Sequence, residues 1–294
     1  RLPGVCQEPS LPAPTVTNIS PSSGLAGDTL DLTVTGTNFV GLPRLDLGND
    51  VLLNEVTLID DTSIIVNVTI DNIAAPGLRD ATLQNPDLKL ANLTNAFDII
   101  PTLYHYVSPS GSNTSPYTNP GDAAQSLFDA LAVAGPGDIV RLATMTFPSI
   151  NVDFRRDVTI EGAWDVSFTS RDLGAKTEFV LVQNLRVQDA DLTLDGLILR
   201  NGSGRSEFLP LEGRYGGAAD AIDGSLNIQN CEVLNNTSVL PGLSTARGGA
   251  VFGHNSTVNI FDSVISGNVA YEGGAVFLDG GGGTFARNTF SINS

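Results

Sequence analysis

Between Thr15 and Ile100, short β-branched runs are broken by turn residues: Leu30 to Val34, Val56 to Ile59, Ile64 to Ile70 and Ala81 to Leu83. Strands this short, with turn signals about every 8 to 12 residues, predict an all-β sandwich over residues 15–100. Ahead of it, residues 1–14 are Pro-rich and aperiodic, which predicts an extended N-terminal segment without a core. Past a short junction at Pro101 and Thr102, a single amphipathic pattern predicts a helix over about residues 122–134. Asp122 is placed to cap it with Gln125 three residues on, Leu127, Leu131 and Ala134 share a face, and Gly135-Pro136 ends it.

The remainder repeats. Gly216-Gly217-Ala218, Gly248-Gly249-Ala250 and Gly273-Gly274-Ala275 each precede a new strand by the same interval. Aligning them sets Leu226, Ile228, Cys231 and Val233 beside Val258, Ile260, Ser263 and Ile265, and then beside Gly283, Phe285, Asn288 and Phe290. An earlier copy, Leu192, Leu194, Leu197 and Leu199, fits the same register. Like residues at like positions in successive coils are how a solenoid builds a continuous core, and the i, i+2 spacing points these side chains inward. Asn236, Asn268 and Asn293 fall in one column and are expected at a left-handed corner, each bonded to its counterpart in the next coil. Glycine in the Gly-Gly-Ala column is expected where a side chain would be forbidden.

Three resemblances follow from these residues. Asn18-Ile-Ser-Pro-Ser-Ser-Gly24, Gly27-Asp28 and Val34-Thr-Gly-Thr-Asn-Phe39 resemble the opening of the IPT/TIG immunoglobulin-like family; Pro76-Gly77, Ala81-Thr-Leu-Gln-Asn-Pro86 and Asn95-Ala-Phe97 resemble its last two strands. Members of that family mostly serve as spacers or binding modules in surface proteins, so the resemblance implies display. Tyr106-Val-Ser-Pro-Ser-Gly111, the helix and Pro136-Gly137-Asp138-Ile-Val140 resemble the N-terminal cap of right-handed parallel β-helices of the pectin-lyase-like superfamily. Gly-Gly-Ala-Val and the apolar-x-x-Asn triplets resemble the repeats of polymorphic outer-membrane proteins, a family of bacterial surface adhesins. Here the apolar residue of the second motif is Phe only at Phe290, with Val233 and Ile265 elsewhere, and no transporter barrel follows. The expected fold is therefore all-β: an Ig-like β-sandwich over 15–100 and a right-handed parallel β-helix over 104–294 with an N-terminal capping helix.

Charge narrows the partners. With 15 Lys plus Arg against 32 Asp plus Glu, a net charge of −17 excludes nucleic acid and anionic membrane surfaces as expected partners. No apolar run approaches the ~18 residues of a transmembrane segment, and the first residues carry no signal peptide, so the chain reads as a mature product or an excised segment. Cys6 and Cys231 have no metal-ligand spacing. Cys231, in an inward column, reads as a buried free thiol, with a disulfide to Cys6 as the alternative. Asn-x-Ser/Thr triplets, such as those at Asn18, Asn67 and Asn92, are glycan acceptors if the chain is secreted by a eukaryote.

Candidate chemistry is sparse. The superfamily resemblance implies enzymes acting on acidic polysaccharides, which need paired acids or calcium carboxylates with a base. Asp189, Asp191 and Asp195 alternate beside Arg186 and Arg200 and are the candidate calcium ligands. Asp220 and Asp223 could face each other at a corner, with a solvated turn pair as the alternative; Gly253-His254 has no adjacent acid pair. His105 and Trp164 have no partner at catalytic spacing and read as packing residues. The segments Ser203 to Tyr215 and Thr237 to Arg247 are long where the next coil has only Val269 to Glu272, and such insertions fall on one face. Arg205, Glu207, Phe208, Arg214, Tyr215 and Arg247 there form the expected ligand or partner face.

These features favour a non-catalytic extracellular or cell-surface protein, structural or adhesive, contacting protein, further copies of itself, or extracellular glycan, with no cofactor other than calcium. The competing class is a polysaccharide lyase or hydrolase. Phe285 to Ser294 resembles another coil with no cap after it, so either the natural chain continues or copies join head to tail into a filament or array.

Overall fold

The computed structural model describes residues 11–71, 73–207, 213–240 and 245–294, with Glu207 described by its backbone alone. The chain divides into two compact units, Arg1–Thr102 and Leu103–Ser294.

The first unit contains β1 (Thr15–Ser20), β2 (Ser23–Leu25), β3 (Thr29–Thr37), β4 (Arg44–Asp46), β5 (Val51–Asp60), β6 (Ser63–Ile70), β7 (Gly77–Gln84) and β8 (Leu90–Ile100). They form two four-stranded sheets, ordered β1-β3-β6-β5 and β2-β8-β7-β4. All pairings are antiparallel except β2 with β8. Alternation explains the arrangement: Leu32, Val34, Ile64, Val66 and Ile70 from one sheet and Ala81, Leu83, Phe97 and Ile99 from the other are fully buried in one cluster. Each of the larger side chains contributes about 1.5–3 kcal/mol by leaving water. The outward positions are polar and pair across strands, as Thr29 does with Thr69 at 2.9 Å.

The second unit begins with β9 (Tyr104–Val107) and α1 (Leu127–Val133). The helix is shorter than the pattern predicts. Pro120–Asp122 is a separate 3-10 turn, and the cap is Ser126, whose hydroxyl accepts from the Phe128 amide at 3.2 Å. Asp122 instead bonds Asn119 at 3.2 Å. Leu127, Ala130 and Ala134 pack into the same core as Val140, Leu142 and Phe147.

Parallel strands then stack in three columns. The first runs from β9 through β10 (Asp138–Ala143), β12 (Val158–Trp164), β14 (Asp191–Asp195) and β19 (Ser225–Gln229) to the second half of β22 (Val251–Phe261). The second runs from β11 (Thr146–Phe154) through the end of β13 (Thr177–Gln188), β18 (Ala219–Ile222) and the start of β22 to β24 (Val276–Gly282). The third joins the start of β13 to β15 (Leu197–Arg200), β20 (Glu232–Leu234), β23 (Val264–Ser266) and β26 (Thr289–Ser291). Leu192, Leu226 and Val258 are direct partners, as are Leu199, Val233, Ile265 and Phe290, so the chain winds as a parallel solenoid in the register of the repeats. Short β25 (Phe285–Ala286) continues the first column. β16 (Arg205–Glu207), β17 (Gly213–Tyr215) and β21 (Ala246–Arg247) form a separate small sheet.

The corners correct one expectation. Asn236, Asn268 and Asn293 do bond coil to coil, Asn236 Nδ2 to Asn268 Oδ1 at 3.0 Å and Asn268 Nδ2 to Asn293 Oδ1 at 2.9 Å. The left-handed residue is the one before each: Asn235, Gly267 and Ile292, with Asn201 a coil earlier. The column asparagines point into the turn, where Asn236 and Asn268 are buried. The Gly-Gly-Ala expectation holds, since Gly216, Gly248 and Gly273 have φ of 54°, 65° and 64°. A Cβ on Gly217, the second glycine of its triplet, would lie 2.0 Å from the Gly249 carbonyl oxygen of the next coil.

Candidate functional site

Alternation along the second column sends register-paired rows of side chains outward, and one of these rows is continuous through five coils. Asp153 pairs in register with Arg186, Arg186 with Asp220, Asp220 with Phe252 and Phe252 with Phe277. The small sheet of β16, β17 and β21 folds over this row. The Arg186 guanidinium donates to Asp220 Oδ2 from Nε at 2.8 Å and Nη2 at 2.6 Å, and Asn184 Nδ2 donates to Asp220 Oδ1 at 2.9 Å. Asn184 also donates to the carbonyls of Tyr215 and Gly216. Asp220 is 1% exposed and Arg186 7%, so the pair is out of water. Tyr215 lies against Phe252 with centroids 4.4 Å apart, and Phe252 stacks on Phe277 at 6.1 Å.

The residues expected to form a partner face are largely consumed by this cover. Tyr215 is 2% exposed and Arg214 9%. Arg205 is ion-paired with Asp153. Arg247 lies 4.9 Å over the Phe277 ring and bonds Glu272 at 2.6 Å. The types favoured at interfaces are also those that seal a sheet face: planar, amphipathic and able to carry charge over an aromatic ring. Glu207 lies in β16, its side chain outside the description, and Phe208 lies outside the described residues.

The candidate calcium ligands are not gathered. Asp195 is 5% exposed and accepts from Arg171 at 2.8 Å, Asn230 at 2.8 Å and Gln229 at 3.1 Å. Asp191 sits four residues back along an extended strand, on the order of 13 Å away at ~3.3 Å per residue. Asp189 is a left-handed corner residue with φ 52°. Among the described residues no group of three His, Cys, Asp or Glu could hold a metal ion. The expected basic neighbours are engaged elsewhere, Arg186 with Asp220 and Arg200 with Glu178, where the Arg200 hydrogen bond holds the carboxyl below the usual range. Asp220 and Asp223 do not face each other, since Asp220 is beneath the cover and Asp223 is an exposed left-handed corner.

Each histidine has a carboxylate partner one coil away in sequence. The buried His105 ring bonds Asp138 Oδ2 at 2.9 Å and the Pro116 carbonyl at 2.8 Å, tying β9 to the start of β10. Half-exposed His254 meets Asp279 at 3.2 Å. Trp164 and Tyr104 flank the Arg141 guanidinium at 4.4 and 4.0 Å, and Arg141 bonds Glu161 at 2.9 Å. Cys231 is a buried free thiol, pushed up to about 12 by burial and therefore inert; Cys6 lies outside the described residues. The signal that could have found these pairs is the coil length itself. Arg186 and Asp220 stand 34 residues apart, the same interval as Gly202 and Asn236.

Residues 14–96 match the model of the IPT/TIG domain family, so the first unit carries an IPT/TIG domain. No curated protein matches the chain. Among solved structures, the chain is similar to the gamma-CGTase of the alkalophilic Bacillus clarkii, with 19% identity and a TM-score of 0.22 over 38% of this chain and 18% of that enzyme. The chain thus spans under a fifth of that protein's length. Among the described residues no helix is long and apolar enough to cross a membrane.

Proposed function

We propose that this chain is a non-catalytic extracellular or surface protein. In this reading a right-handed β-helix, akin to the pectin-lyase-like scaffold with repeats like those of surface adhesins, serves as a stiff stalk or display element in a chain that also carries an IPT/TIG module. The observation that supports it best is the use made of the outward polar residues. Asn227 and Asn259 bond across coils at 2.9 Å, Asp195 is saturated by three donors, and the Arg and aromatic residues of the insertions cover a sheet face. Side chains committed to coil-to-coil bonding rigidify a rod. Contact with protein or glycan then falls to the IPT/TIG module and to outer faces still open to solvent.

Incubating the chain with polygalacturonate and alginate, with and without calcium, separates this reading from a polysaccharide lyase or hydrolase. The expected result is retention of glycan chain length. Turnover abolished by Asp189→Ala or Asp223→Ala would establish the enzyme instead.

A further inference from the structure

The helix α1 covers the first coils of the second unit only in part. A cavity of about 240 Å³ remains between Leu131 of its C-terminal half, the capping residue Ala134, and Val152, Phe154 and Val158 of the strands beneath. Phe154 and Val158 belong to the main core, so the floor of the cavity is the uncovered edge of that core. The rim comes from the end of β11 and the turn after it, which bring Asp153 and then Arg155 and Arg156 to the opening.

These three charges are not equivalent. Asp153 is taken by Arg205, and Arg156 donates to the Ala134 carbonyl at the helix end. Arg155 is exposed and has no hydrogen-bond or ion-pair partner among the described residues. In an acidic chain whose arginines mostly pair with carboxylates, as Arg141 does with Glu161 and Arg287 with Asp262, an unpaired guanidinium at the mouth of an apolar cavity is a departure. With Asp153 neutralised, the rim presents positive charge and the floor presents only hydrocarbon.

We propose that this cavity binds a small amphipathic carboxylate, its apolar body on Leu131, Val152, Phe154 and Val158 and its carboxylate on Arg155. At ~30 Å³ per molecule the cavity holds about eight waters, which sets the ligand at roughly eight to ten non-hydrogen atoms. Displacing water from the apolar floor supplies affinity. The guanidinium supplies the choice of anion, because a charge-assisted bond to a planar carboxylate is stronger than one to a neutral hydroxyl.

The test uses the full chain, amide NMR and two probes of matched shape, 4-methylbenzoate and 4-methylbenzyl alcohol. The carboxylate is expected to shift amides at 131–134 and 152–158 saturably and to bind more tightly than the alcohol. Arg155→Gln, an exposed substitution that leaves the core intact, should weaken the carboxylate about tenfold and leave the alcohol unchanged. Leu131→Trp, which fills the cavity from a half-buried position, should abolish both. Absence of saturable shifts there, shifts confined to another surface, equal binding of the two probes, or unchanged affinity in Arg155→Gln would each overturn the proposal.

Discussion

The two units bury strand faces with partners at different distances along the chain, and this decides what each can place inside. In the sandwich, antiparallel neighbours meet unlike residues, as Asp31 meets Asn67 and Leu32 meets Val66, and the interior is hydrocarbon. Asn85 is its one buried polar residue among those described. In the solenoid, each strand position meets the corresponding position of the neighbouring coil 20 to 35 residues on. A polar residue there meets a partner in the neighbouring coil, the same residue for Asn236 and Asn268 and a complementary one for Arg186 and Asp220, so all four are buried with bonds made. The same amino-acid types should therefore be worth little in one unit and much in the other.

The largest difference is expected at the buried ion pair. Asp220→Ala removes, out of water, the acceptor of two Arg186 bonds and one Asn184 bond, which should destabilise the second unit by about 3–5 kcal/mol. Asp31→Ala, on the open face of the sandwich, should change the stability of its own unit by no more than about 0.5 kcal/mol. Urea unfolding followed separately for each unit checks both; comparable losses would end the contrast.

Next comes the asparagine column. Asn268 accepts from the Asn236 amide and side chain, each at 3.0 Å, and donates to the Val233 carbonyl at 2.9 Å. Asn268→Ala should cost about 1–3 kcal/mol for a buried group left unpaired. Thr29→Ala, which removes one exposed hydroxyl bond from the sandwich, should stay within about 0.5 kcal/mol. Hydrogen exchange of the Asn236 amide gives an independent reading: it should speed up in Asn268→Ala and remain unchanged in Thr29→Ala.

How much of this was legible follows the same division. The inward columns were readable because apolar residues recur at fixed positions; Leu192, Leu226 and Val258 fall in line from the repeats alone. The asparagine column was readable as a column and misread as geometry, because composition shows that a corner exists without showing which residue turns it. Tyr215 and Arg214 were misread for a different reason. An insertion rich in Arg and aromatics looks alike whether it faces a partner or folds back, and the outward Phe252 and Phe277 beneath it show themselves only once the strand register is fixed. The helix cap went to Ser126 over Asp122 because Pro120 starts a separate turn.

Corner chemistry yields a smaller effect of opposite sign. The corner column that holds Asn201, Asn235 and Gly267 ends in Ile292, a β-branched residue at φ 54° and 86% exposed. Left-handed backbone at such a residue costs on the order of 1 kcal/mol or more. Ile292→Gly should therefore raise the stability of the second unit by about 1 kcal/mol in the same urea assay, and no gain would mean that the corner is not strained.

The smallest effect concerns aspartates that organise turns, one in each unit. Asp60 accepts two bonds from Thr62, at 2.8 and 2.7 Å. Asp165 accepts six, from the amides and hydroxyls of Ser167, Thr169 and Ser170, the shortest being the Ser170 hydroxyl at 2.6 Å. Both carboxyls are held below the ordinary range, Asp60 chiefly by the Thr62 side chain and Asp165 chiefly by the hydroxyls of Ser170 and Ser167. Donors that bond the charged form lower the pKa, and Asp165 has three times as many side-chain and amide donors as Asp60, so Asp165 should lie the lower of the two. A carboxylate depressed by folding contributes stability that is fully present above the ordinary value of about 3.9 and is lost as pH falls through the folded value. The turn of Asp60 should therefore loosen first on acidification and that of Asp165 last. Carboxyl-carbon NMR titration reads both midpoints directly. Ser170→Ala should move the Asp165 midpoint upward and leave Asp60 in place; an Asp165 midpoint at the ordinary value would show that the six bonds do not hold the charge.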